Sequence, residues 1–186
     1  MRNEVKSERN IPYLRIAIVL CFILFAAILR ILPHPWNFTP VGAMALFAGA
    51  KLGRSWKAFL IPLVALFAGD LFVGFHQLTL AVYLSFCLSA LIGAIFRNRQ
   101  SAGPLSLATL LGATQFFLIT NFAVWALMTT YPRTVSGLIA CYVAGIPLFG
   151  NTLAGDAFYA AILFGGYALI EHFFPGLRKS QPPALA

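Results

Sequence analysis

Leu32-Pro33-His34-Pro35-Trp36-Asn37-Phe38-Thr39-Pro40-Val41-Gly42 is a polar, proline-stiffened segment between two apolar runs that each suit a bilayer. Its three prolines fix φ at their own positions and bias Leu32, His34 and Thr39 toward extended backbone. A loop so restricted has little conformational entropy left to lose. It is suited to presenting side chains at fixed places, and His34, Trp36 and Asn37 are the ones it presents. On either side the chain continues as apolar runs separated by short polar breaks.

Of the 186 residues, 60% are hydrophobic and 10% charged, with mean hydropathy +0.85. A water-facing surface needs more charge than this. Several runs reach about 18 apolar residues, the length that crosses ~30 Å of hydrocarbon. The chain therefore reads as an all-α integral membrane protein with one transmembrane domain, 11–175. A charged segment, 1–10, precedes it, and a Pro-containing tail, 176–186, follows and is expected to be disordered. Six spans are expected at about 11–32, 38–52, 58–75, 78–96, 105–128 and 153–174. The first is read as a span and not a removable signal peptide, because no small-residue cleavage site follows it. Span two is rich in small residues, which favours close helix packing. Before the last span, Val135–Phe149 is apolar but holds Pro147 and two glycines. It is short for a crossing and is expected to form an interfacial or re-entrant helix.

The net charge of +8 does not imply nucleic acid, since the basic residues gather in short clusters between apolar runs, where they set orientation. With the N-terminus inside, the inner segments hold Arg2, Lys6, Arg9, Lys51, Arg54, Lys57, Arg97, Arg99, Arg178 and Lys179, and the outer ones only Arg30 and Arg133. A seventh crossing would put Arg178 and Lys179 outside. Both termini are therefore expected in the cytoplasm. Cys21, Cys87 and Cys141 offer no paired spacing for a disulfide framework or a CxxC metal site.

This topology gathers polar residues on the outer side: the proline loop, His76, Asp70 near the end of span three, Arg133, Asn151 and Asp156. Tyr83 and Asn121 lie at moderate depth, with Trp125 nearer the boundary. An intramembrane carboxylate usually faces a bundle interior, a partner charge or water. Each residue alone has a plainer reading. Asp70 could bond a neighbouring helix, Arg133 could anchor at the interface beside Tyr131, and Trp36 and Trp125 could belong to an aromatic belt. Their convergence on one side points to an outward-facing binding site. No GxxxxGK[ST] loop, HExxH helix or CxxCH site is present, and neither aspartate lies at the mid-depth that a proton or ion relay uses. No inverted repeat is visible. A binder without its own engine is a transporter subunit or a facilitator.

Arg30-Ile31-Leu32-Pro33-His34-Pro35-Trp36-Asn37-Phe38-Thr39-Pro40-Val41-Gly42-Ala43, then Gly69-Asp70-Leu71, Gly74-Phe75-His76, Thr120-Asn121-Phe122 with Trp125, Tyr131-Pro132-Arg133-Thr134, Asn151-Thr152-Leu153 and Gly155-Asp156 resemble the BtuM-like family of bacterial membrane proteins. That family is similar to the substrate-binding (S) component of energy-coupling factor (ECF) vitamin transporters. The resemblance runs from about Arg30 to about Gly166.

It implies a six-helix S-component-like bundle in the bacterial cytoplasmic (inner) membrane, taking up a micronutrient, with cobalamin or another corrinoid as bound substrate and no intrinsic cofactor. The implied partners are the lipid bilayer, the vitamin and an ECF transmembrane coupling subunit with two ATPases. His34, Asn37, Asp70, His76, Tyr83, Asn121, Arg133, Asn151 and Asp156 are the expected polar contacts, and Trp36 and Trp125 are expected to pack on the ligand. Members of that family with a cobalt-ligating cysteine imply a second role, decyanation through Cys87, with Cys87 or His34 as ligand to the substrate cobalt. A thiolate is a soft ligand that can labilise the group trans to it, whereas a free cysteine is more often a small buried apolar residue. A non-transport scaffold receiving a partner's peptide on the outer polar cluster is the third class.

Overall fold

The computed structural model describes residues 2–29 and 35–177. His34, Arg30 and residues 178–186 of the expected tail, with Arg178 and Lys179, lie outside them. Among the described residues there are six α-helices and no strand: α1 Arg2–Leu29, α2 Val41–Leu52, α3 Trp56–Val73, α4 Thr79–Ile95, α5 Ala102–Leu127 and α6 Val135–Phe173. A 3-10 turn, Pro175–Leu177, follows α6, and Leu177 is buried at 3% exposure against α1 and α6. The expected tail thus begins inside a packed turn.

The centre of the bundle is α2. Small and apolar residues on every face let it be enclosed all round, and Val41 and Ala43–Lys51 are buried. It touches all five other helices. Against α4 the approach is closest, at Gly49 and Gly93. A methyl group on either would overlap a facing backbone carbonyl, of Ala90 or Leu46. On the α6 side Phe47 meets Phe164 edge-on at 5.2 Å between ring centroids, with Tyr167 at 5.7 Å. Such tilted arrangements are the favourable ones for aromatic rings.

The turns 35–40, 74–78 and 128–134 lie at one end of the bundle, termed upper here. The turns 53–55 and 96–101 lie at the other, lower end. At the lower end Lys51 is 7% exposed. Its Nζ bonds Gln100 Oε1 at 2.6 Å and sits 4.0 Å from the Tyr167 ring centroid, a cation–π placement.

Much of the outer surface is apolar. Leu60, Val64, Phe67 and Leu71 of α3 are exposed, as are Leu80, Leu84 and Leu88 of α4 and Val135, Ile139, Val143 and Ile146 of α6. The helical spacing makes each set a continuous stripe. Two helices, α5 and α6, are long and apolar enough to cross a membrane.

The segment expected to form a separate interfacial or re-entrant helix, Val135–Phe149, is instead the first part of α6, which runs unbroken for 39 residues. Pro147 forfeits one backbone hydrogen bond, to Val143 O, and a single such loss does not stop a helix held elsewhere. Here α5 holds both sides of it. Tyr142 Oη donates to Leu118 O at 2.8 Å, and Phe149 packs on Phe117 at 5.1 Å. Gly150 and Asn151 also stay helical, and Thr152 Oγ1 donates back to Leu148 O at 2.9 Å.

Candidate functional site

The site begins with a shortage. The α2 helix starts at Val41 with Pro40 at its N-cap and no capping side chain of its own, and Pro40 and Val41 are both buried. The N–H groups of a buried helix start need an acceptor. It comes from α6: Asp156 Oδ1 accepts from Ala43 N at 3.1 Å. The carboxylate is 5% exposed and lies at the positive end of the α2 dipole. Gly42 leaves it room, since a Cβ there would overlap the carboxylate.

The segment before α2 is laid across α6. Gly155 faces the backbone of Phe38 and Thr39, and a Cβ there would come within 3.1 Å of it. Phe38 packs on Phe158 and Tyr159 at 5.8 Å each. Asn151 Nδ2 donates to Trp36 O at 3.0 Å. Phe38 N closes a turn onto Pro35 O, with Asn37 at φ 62°. Asparagine is among the few non-glycine residues that tolerate this left-handed conformation.

Asn37 lines a cavity of about 270 Å³, together with His76, Leu78 and Val82 at the start of α4. Phe116, Phe117, Thr120, Asn121 and Val124 of α5 form another wall, and Leu148, Phe149 and Thr152 of α6 the third. Asn37 and His76 are exposed at its rim. His76 Nδ1 accepts from Leu78 N at 3.2 Å, so its Nε2 is the nitrogen left for other partners. Asn121 Nδ2 donates to Phe117 O at 2.9 Å within its own helix. A smaller chamber of about 30 Å³ shares Asn37, Phe116 and Thr152 with the cavity and adds Thr39, Gly42, Phe86, Ser89, Gly112 and Asp156. Ser89 Oγ accepts from Gln115 Nε2 at 2.9 Å. Asp156 thus stands beneath the cavity, at the start of α2.

Of the site residues expected from sequence, Asn37, His76, Asn121 and Asp156 are brought to these two spaces. The others are not. Asp70, 4% exposed, accepts from Tyr83 Oη at 2.6 Å and lines neither space. Trp36 is 82% exposed and contributes its carbonyl rather than its ring. Trp125 Nε1 donates to Pro132 O at 2.9 Å, and the Arg133 guanidinium sits 5.9 Å from the Trp125 ring centroid. These two residues secure the 128–134 turn. Asn151 ties down the proline segment. Cys87, half-buried, lines neither space, and no group of three metal-ligating side chains occurs among the described residues. The aromatic wall of Phe116, Phe117 and Phe149 has no counterpart among the expected residues. Thr120 and Thr152 do sit in the quoted strings, each beside an expected asparagine.

The fold and site define an all-helical protein that holds a small, mixed aromatic and amide cavity at one end of its bundle, with a carboxylate beneath it. The chain belongs to the family of unknown function DUF6580, whose family model matches residues 11–178. No curated protein and no solved structure matches the chain.

Proposed function

We propose that this protein is a membrane-embedded substrate-binding protein for micronutrient uptake, of the S-component type, with the upper cavity as its outward-facing site. The single observation that carries the reading is the cavity itself. It unites three separately expected polar residues, Asn37, His76 and Asn121, from three elements distant in sequence. The apolar stripes on α3, α4 and α6 support a bundle surrounded by lipid, with all six helices in the bilayer. The basic residues support the orientation: Lys51, Arg54, Lys57, Arg97 and Arg99 are at the lower end, against Arg133 at the upper. That bias supports a cytoplasmic lower end. At 39 residues α6 is ~58 Å long, enough to cross the ~45 Å of a full bilayer even when tilted. The energy for uptake comes from an ECF coupling subunit with its ATPases, as the resemblance implies.

Mixed apolar walls with a few convergent polar groups are what small-molecule sites generally show. A space of about 270 Å³ suits a compact ligand. Cobalamin, the substrate that the resemblance implies, is far larger, and its binding requires the 35–40 and 74–78 segments to part from α5 and α6. Calorimetry of the detergent-solubilised protein against cobalamin and a panel of smaller vitamins tests the reading. Saturable binding of one compound is expected, weakened by Asn121→Ala. Heat flows no different from buffer across the whole panel would overturn it. Cobalamin binding would select the opened form of the site.

A further inference from the structure

The chamber beneath the cavity is lined by a carboxyl oxygen that no described residue satisfies. Asp156 is 95% buried, at 5% exposure. Its Oδ1 is taken by the Ala43 N–H, while Oδ2 has no hydrogen bond among the described residues. Among the described residues no lysine, arginine or histidine lines the chamber. The start of α2 supplies about half a positive charge, which offsets only part of a full carboxylate. The other polar groups facing the chamber, from Asn37, Thr39, Ser89 and Thr152, are an amide and hydroxyls that carry no charge. Oδ2 faces the chamber and is free to accept from a guest, and about 30 Å³ accommodates one small polar group. Directly above stand the Phe116, Phe117 and Phe149 rings.

We infer that the ligand is amphipathic, with a non-anionic, hydrogen-bond-donating head in the chamber and an aromatic body in the upper cavity. The head, an ammonium or hydroxyl group, donates to Asp156 Oδ2. An anionic head is disfavoured, because it would set further acceptor oxygens against Oδ2 with no cation among the described lining residues to hold them. This assignment rests on the upper cavity being the binding site, and it names the chemistry that site selects.

The test uses three probes with one bicyclic aromatic body: naphthylmethylamine, naphthylmethanol and naphthoate. Binding to the full chain in detergent is followed by ligand-observed magnetic resonance. The amine and the alcohol should bind at millimolar concentration and the carboxylate at least tenfold more weakly. Asp156→Asn keeps an oxygen for Ala43 N and so keeps the cap, but it should cost the amine tenfold or more and narrow the gap to naphthoate. Equal binding of the three probes, no binding of the amine, or an Asp156→Asn protein with the parental preference would each overturn the inference. Val124→Trp and Val82→Phe fill the upper cavity from two different helices. If the amine still binds both fillers at parental strength, the cavity reading itself fails. If both fillers abolish binding while Asp156→Asn leaves the preference intact, only the assignment of the head group fails.

Discussion

The two ends of α2 are held in different ways. Toward its lower end, beside the Lys51 contacts, the hold on α4 is steric, with Gly49 and Gly93 letting the two helices meet backbone to backbone. At its upper end the hold is electrostatic, a carboxylate borrowed from α6 beside open volume. The first arrangement resists any added atom, and the second leaves room for a guest. A bundle can thus be rigid where it has only to stay together and polar and hollow where it has something to bind.

Three substitutions sharpen that contrast. Gly49→Val should be the most damaging. Its side chain would have to displace the Ala90 carbonyl, and overpacking of this kind against backbone should cost more than about 3 kcal/mol. Thermal unfolding in detergent should show a protein that no longer folds cooperatively; a parental midpoint would break the steric half of the comparison. Asp156→Ala comes next. Loss of the borrowed cap should cost about 1–2 kcal/mol, with Asp156→Asn recovering most of it. Equal destabilisation by both substitutions would mean that charge, not capping, holds the helix start. Tyr83→Phe should be mildest, about 1 kcal/mol for one hydrogen bond to Asp70, with ligand affinity unchanged. A binding defect there would show that the two buried aspartates act as one site.

That last pair shows where the sequence stopped being informative. Asp70 and Asp156 carry the same chemistry, lie toward the same end and are equally buried, yet only one faces a cavity. The difference depends on whether a partner such as Tyr83 stands opposite, and no single-chain pattern reports that. The role of Asp156 had one faint sign: α2 begins after proline with no Ser, Thr, Asp or Asn at its N-cap, so an acceptor had to arrive from elsewhere. In α6, Pro147 and Gly150 are breaker residues whose local effect was overridden by packing against α5. The extents of α3, α4 and α5 were legible to within a few residues, because apolar length and polar breaks are local properties. The aromatic wall was not legible. In a chain this apolar, Phe116 and Phe149 look like any lipid-facing phenylalanine, and periodicity cannot say which face meets a cavity. The orientation of Trp36 is not legible for a related reason, since a tryptophan in a rigid loop can present either its side chain or its carbonyl.

The most direct test is native mass spectrometry of the protein released from its own membrane, compared with Val124→Trp prepared the same way. A small molecule bound one-to-one on the native chain and missing from the filled variant is the expected result. Bare protein in both preparations, or the same adduct on both, would contradict a binding site between Asn37, His76 and Asn121.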